Sequence, residues 1–160
     1  MVRRAVLLVL AVAALASAGA APGGPSGGAP VKAAYNKLLK KTILVDARGR
    51  TLYMYVSDSA GTSACVDDAT YHCSKVWPPL LTTGAPVARA GAKQKLLGTI
   101  TRDDGTTQIT YKGHPLYRFS GYSSTPGDKK PGDVHGQGFI GVWWVMSPAG
   151  TVLQNVFPKP

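Results

Sequence analysis

Apolar residues are distributed along this chain in two ways. At the start they are continuous. The basic opening Met1-Val2-Arg3-Arg4 leads into an apolar run from Ala5 to Leu15, and small residues follow, Ala16-Ser17-Ala18-Gly19-Ala20-Ala21-Pro22. That order of basic, apolar and small residues is the pattern of a secretory signal peptide. The run of 11 residues is well short of the roughly 20 that a membrane-spanning helix requires. From Val31 onward the apolar residues come instead in short runs with a period of two. Thr42–Asp46 and Thr51–Val56 are β-prone runs on either side of a turn-like Ala47-Arg48-Gly49-Arg50. Within the second run Leu52, Met54 and Val56 alternate with Tyr53 and Tyr55, which predicts one aliphatic and one aromatic face.

The same unit occurs twice. Gly49-Arg50-Thr51-Leu52-Tyr53-Met54-Tyr55 returns as Gly113-His114-Pro115-Leu116-Tyr117-Arg118-Phe119, and a Trp follows each copy, Trp77 and Trp143. In the second copy the aromatic face is kept by Tyr117 and Phe119, while Arg118 stands among the aliphatic positions. We therefore expect Tyr53, Tyr55, Tyr117 and Phe119 to point inward or onto a shared groove. Upstream, Lys37-Leu38-Leu39 and Thr42-Ile43 echo Lys95-Leu96-Leu97 and Thr99-Ile100, which leaves Thr101–Thr110, with Asp103-Asp104-Gly105 at its tip, as an extra hairpin in the second copy. A last hairpin is predicted from Val142–Met146 and Thr151–Val156 across Ser147-Pro148-Ala149-Gly150. The fold class expected is all-β, a compact antiparallel β domain built from two related repeats. Its one short helix is placed around Cys73–Val76 or Tyr35–Lys40. The organisation read from the chain is a signal peptide over 1–18, a Gly/Pro linker over 19–30 and a single β domain over 31–160. Repeat one spans about 37–83 and repeat two about 95–157.

Composition narrows the classes. The chain has 160 residues, with 19 Gly, 12 Pro, 18 Lys plus Arg and 8 acidic residues, all of them Asp, for a formal charge of +10. Abundant turn formers and the lack of Glu argue against a long-helix bundle, and 44% hydrophobic residues against a wholly disordered chain. Lys32, Lys37, Lys40 and Lys41 lie in a stretch without an acid, a pattern that suits an anionic envelope polymer or polysaccharide, or at most peripheral membrane contact. No nucleic-acid recognition motif is present.

Candidate chemistry is sparse. Cys65 and Cys73, an even pair in an exported chain, are expected to form a disulfide. The alternative has His72 join both thiols around a soft metal. Asp58 suits capping of its strand through backbone N–H groups. The stretch Ser123–Gly138 carries Asp128, Asp133 and His135 and, with His114, is the candidate ligand loop. It could hold a cation through oxygen ligands or serve as a plain connection. Trp77-Pro78-Pro79 and Trp143-Trp144, beside Tyr53 and Tyr55, would make either core or a carbohydrate-stacking platform. No catalytic constellation is legible, so no enzyme, cofactor or resident metal is expected.

At Tyr53-Met54-Tyr55-Val56-Ser57-Asp58, Trp77-Pro78-Pro79-Leu80, Tyr111–Tyr117 and Asp133–Gly138 the chain resembles the secreted or lipoprotein repeat family of bacterial envelope proteins, a family of unknown function described by a Y-x4-D motif. The resemblance implies an envelope location and a two-repeat β fold. It also shows two departures. The residue in the second copy that corresponds to Asp58 is Tyr122, which argues against a role needing two equivalent Asp positions. The lipid-anchoring Cys is absent. The function expected is a secreted, non-catalytic binding or structural module of the cell envelope, with a metal- or haem-handling or redox accessory protein as the alternative.

Overall fold

A computed structural model describes residues 28–68 and 70–159. The expected signal peptide and most of the linker lie outside them. Ten short strands and one short helix follow in chain order: β1 (Pro30–Asn36), β2 (Lys41–Val45), β3 (Tyr53–Tyr55), α1 (Cys73–Val76), β4 (Val87–Arg89), β5 (Leu97–Thr101), β6 (Thr107–Tyr111), β7 (His114–Pro115), β8 (Gly121–Tyr122), β9 (Thr125–Pro126) and β10 (Trp143–Val145). The sheets run β2-β1-β4, β10-β3, β5-β6-β7 and β8-β9. All strand pairs are antiparallel except β1 with β4. Of the two sites predicted for a helix, Cys73–Val76 forms one. Tyr35–Lys40 instead closes the β1–β2 hairpin, with the Asn36 side-chain oxygen accepting from the Leu39 N–H at 2.9 Å.

Hydrogen bonds between the small sheets come in matched pairs that relate the repeats by a two-fold-like operation. The Tyr53 N–H donates to the Tyr117 carbonyl and the Tyr117 N–H to the Tyr53 carbonyl, both at 2.9 Å. Leu44 donates to the Met146 carbonyl at 3.0 Å, and Ile109 to Leu80 at 2.8 Å. Val56 donates to Val142 at 3.0 Å, and Ser120 to Val76 at 2.8 Å. Met54 opposes Trp144 in the β3–β10 ladder, as the Arg118 N–H meets the Pro78 carbonyl at 2.9 Å. Pro78 and Pro79 lack N–H donors. On that side only an isolated bridge, Pro79 to Tyr117, stands where the other half has a ladder.

This correspondence corrects two expectations. β6 is the mate of β2, so β5–β6 is the mate of β1–β2 and not an extra hairpin. The echo of Lys37–Ile43 in Lys95–Ile100 crosses from one strand of the hairpin to the other. The last hairpin forms its turn, with the Ser147 N–H donating to the Thr151 carbonyl at 2.9 Å. Its second arm is irregular beyond the Met146–Val152 bridge, where the Leu153 and Val156 carbonyls accept instead from the Gln137 side-chain amide at 2.8 and 2.7 Å.

Alternation along β3 and β10 sends side chains into two cores. Tyr53, Trp77, Tyr117, Phe119, Trp143 and Val145 belong to one, and Leu44, Leu52, Met54, Ile109, Leu116 and Trp144 to the other. The aromatic core repeats the same symmetry. Tyr55, Trp143, Trp77 and Phe119 form a continuous pile with centroid spacings of 4.4, 3.9 and 4.4 Å, and the two indoles are within 3° of parallel. Each indole also receives a tyrosine edge, Tyr53 on Trp77 at 5.4 Å and Tyr117 on Trp143 at 5.1 Å. Such pairs add about 0.5–1.5 kcal/mol each beyond the area they bury. The carbohydrate platform drawn from these tryptophans is overturned: Trp77 and Trp143 are 0% and 2% exposed. Where the chain crosses this pile, Gly136 is required, since a Cβ there would stand 2.7 Å from the Trp77 ring.

Because each half supplies the other's core, Trp77→Ala and Trp143→Ala should each lower stability by about 3–5 kcal/mol. Urea unfolding of either variant should remain a single transition. A biphasic curve, with one repeat surviving, would contradict a shared core.

Candidate functional site

The polar groups that resemble a site are organised around the two repeated tyrosines. Tyr53 donates its hydroxyl to Asp128 Oδ2 at 2.5 Å, and Tyr117 donates to Asp58 Oδ2 at 2.9 Å. Each tyrosine thus reaches the carboxylate of the opposite repeat. The carboxylates occupy matched places, with the Asp58 N–H donating to the Tyr55 carbonyl at 3.2 Å and the Asp128 N–H to the Phe119 carbonyl at 3.0 Å. The second equivalent Asp is therefore present, against the reading that put Tyr122 in its place. The β8–β9 hairpin, Gly121–Pro126, is inserted between Phe119 and Asp128 and displaces the residue in sequence but not in space. A Cβ at Gly127 would lie 2.3 Å from the Ser120 backbone, so glycine lets the chain close that hairpin tightly.

Each hydroxyl also accepts a bond. Tyr53 takes the Gly136 N–H at 3.3 Å, and Tyr117 lies 2.7 Å from Ser63 Oγ. Arg102 braces the second arrangement through Ser63 Oγ, Gln108 Oε1 and the Cys65 carbonyl at 2.7, 2.7 and 2.8 Å. Beyond Tyr117, Asp58 accepts the Ala64 N–H at 2.8 Å, closing the loop after β3 as the capping reading expected. Burial pushes Asp58 up to about 6, against the lowering pull of Ala64, Tyr117 and Arg102. Burial also raises Asp128, opposed by Tyr53 and His135. Burial first, then the facing carboxylate, raises both tyrosines.

The candidate ligand loop is committed to its own chain. Asp128 Oδ1 accepts the His135 N–H at 2.9 Å, with His135 Nδ1 at 3.2 Å. Asp133 Oδ2 accepts the N–H groups of Lys129 and Lys130 at 3.0 and 3.1 Å. His114 sits in β7 opposite Tyr111, and burial and Lys112 lower its pKa. Among the described residues no three His, Cys, Asp or Glu side chains converge as a metal would require. Cys65 and Cys73 are joined in a disulfide, which removes the thiols that the arrangement with His72 needed. A loop of this length contributes about 2–3 kcal/mol on the chain-entropy estimate.

A second polar group went unnoticed in the sequence. Asp46, 2% exposed, accepts the Arg48 and Arg50 N–H groups on Oδ1 at 2.9 and 3.0 Å. Its Oδ2 accepts from Arg50 Nε at 3.0 Å and Arg118 Nε at 2.9 Å. Burial raises Asp46, but the Arg50 N–H and the two guanidiniums outweigh it and hold the carboxyl below its ordinary value. The one sequence signal was Arg118 at an aliphatic position of the repeat.

A family model described as a secreted repeat of unknown function, Lipoprotein_15, matches residues 40–81 and 98–147. The first match holds Tyr53, Asp58 and Trp77, and the second Tyr117, Asp128 and Trp143. No curated protein and no solved structure matches the chain. No helix among the described residues is long and apolar enough to cross a membrane.

The raised Asp58 carries a signed pH dependence. A carboxyl with a folded pKa of about 6 against an ordinary 3.8 adds stability below about pH 4, and that contribution is lost as pH rises through about 6. Denaturant titrations of wild type and Asp58→Asn should therefore give a stability difference that falls against the wild type over this window. A difference independent of pH would contradict the burial of the Asp58 carboxyl.

Proposed function

The chain belongs to the family of secreted repeats of unknown function, and from that premise we propose that it is a non-catalytic binding module of the bacterial cell envelope that holds an anionic polymer. The observation that carries this reading is the tip of the β1–β2 hairpin. Lys37, Lys40 and Lys41 are all exposed there, beside Tyr35 and Leu38 at 64% and 46% exposure. Lys37, Tyr35 and Leu38, with Lys32, line a groove of about 600 Å³ that also includes Gly49, Pro131 and Gly132. Lys32 Nζ donates to the Ala47 carbonyl at 2.8 Å. No acid occurs between Val31 and Val45, so the positive potential of this edge is not locally cancelled.

The groups chemically suited to catalysis support a binding role by their engagements. Asp58 and Asp128 hold the repeated tyrosines, both thiols form the disulfide, and the tryptophans fill the interior. What faces outward at the basic edge is a rim of ammonium groups around an apolar and aromatic floor, suited to a polymer of alternating charge and hydrocarbon.

Purified protein should be retained on washed bacterial cell walls at low salt and released at moderate salt, since exposed charges are screened within about 10 Å at 0.1 M. A Lys37→Ala, Lys40→Ala, Lys41→Ala triple variant should bind at least about tenfold more weakly, taking about 1 kcal/mol per lysine near an anionic surface. Undiminished retention of that variant would overturn the assignment to this edge.

A further inference from the structure

The symmetry between the repeats fails at the corner around Pro78 and Arg118, and the failure leaves a cleft. Trp144, Met54 and Tyr111 are buried together in the second core. Their mates across the two-fold-like relation are Pro78, Arg118 and Asp46, as the Met54–Trp144 ladder pair matches Arg118 with Pro78. The Tyr111–His114 pair likewise matches Asp46 with Arg50. In place of a bulky indole and a thioether, this half has an open cavity of about 360 Å³. It is lined by Arg50, Pro78, Arg118 and the segment Gly127–Lys129, with Phe119 and Ser120 behind.

We infer that this cleft is a binding site for a phosphate-class oxyanion, held by the guanidiniums of Arg50 and Arg118 and the ammonium of Lys129. The assignment deepens the polymer-binding reading by naming the anionic group recognised. Asp46 acts as the positioning residue. It fixes Arg118 through Nε at 2.9 Å and Arg50 through Nε and Nη2 at 3.0 and 2.8 Å. Among the described residues, neither terminal nitrogen of Arg118 and not Nη1 of Arg50 has a hydrogen-bond partner, and both side chains remain 28% exposed. The forks are thus oriented before any ligand arrives, so little side-chain freedom is lost on binding. Asp128, the other acid at the cleft, has its oxygens occupied by Tyr53 and by His135. Three cationic side chains line the cleft, and the oxygens of Asp46 and Asp128 are already committed. A tetrahedral oxyanion offers at least three acceptor oxygens to the two guanidiniums and the ammonium at once, whereas a carboxylate offers two. The volume lies at the lower end of small-ligand pockets, roughly 300–1,000 Å³, and leaves room for the alcohol that such a phosphate esterifies.

The test is a titration of inorganic phosphate, and separately glycerol phosphate, into the purified protein, followed by NMR of the arginine Nε–Hε groups at constant ionic strength. The expected result is saturable shifts at Arg50 and Arg118. Arg118→Met, which copies Met54, and Arg118→Lys, which keeps the charge but not the fork, should each weaken binding at least tenfold. If Arg118→Met fails to fold, Arg118→Lys and Lys129→Ala decide the matter. Saturation by glycerol phosphate as well as free phosphate would identify an esterified ligand, and saturation by free phosphate alone a free anion, both supporting the site. Unsaturated drift at these arginines, or equal affinity in the Arg118 and Lys129 variants, would overturn it. The Lys37/Lys40/Lys41 variant should keep its phosphate shifts, so loss of wall binding there and loss of phosphate binding at Arg118 report separately on the two readings.

Discussion

The fold rests on an exchange across the junction of its two repeats. Each repeated tyrosine hydrogen-bonds the other's backbone, turns its edge to a tryptophan and sends its hydroxyl to the opposite repeat's carboxylate, Tyr53 to Asp128 and Tyr117 to Asp58. Neither half can therefore satisfy its own buried hydroxyl or complete its own aromatic pile. An unpaired hydroxyl or carboxyl in this interior would cost free energy on the order of a lost core contact. The exchange thus sets the register of one repeat on the other, as a reciprocal interface does between subunits.

With the interior committed in this way, function has to come from where the repeats differ. Arg118 and Asp46 stand in positions that the other half fills with Met54 and Tyr111, and Pro78 stands opposite Trp144. An apolar corner of the second core has become a pair of oriented guanidiniums over a cleft. The basic β1–β2 tip is a second such difference, since its mate, the β5–β6 turn, carries Asp103 and Asp104 instead. Departures from local consistency of this kind concentrate where a protein does something besides fold. In this chain both place positive charge at the surface.

The repeated Gly-x-x-Leu-Tyr unit was legible because alternation and turn chemistry are local. The all-β class and the inward course of Tyr53 and Tyr117 followed from it; the disulfide between Cys65 and Cys73 followed from cysteine parity in an exported chain, and Cys73–Val76 was one of two places offered for the helix. Two features escaped a reading from local spacing. Asp128, placed in the candidate ligand loop, was not matched with Asp58 because a fixed spacing from Tyr117 leads to Tyr122, and only the closing of β8 on β9 returns the chain to the matched place. The β5–β6 hairpin was taken as extra because its mate begins with Pro-Val-Lys-Ala-Ala-Tyr-Asn, a strand with little apolar alternation that draws its order from β2 and β4.

Local periodicity, glycine placement and cysteine parity were enough to establish a duplicated, stapled β chain with two aromatic faces. They act over a few residues, and the chain carries them wherever it goes. The identity of each carboxylate's partner, the piling of two indoles 66 positions apart and the gathering of Arg50, Arg118 and Asp46 depend on contacts between distant segments. Their energies exist only once both halves have closed, since burial is what makes an unpaired polar group too costly to leave.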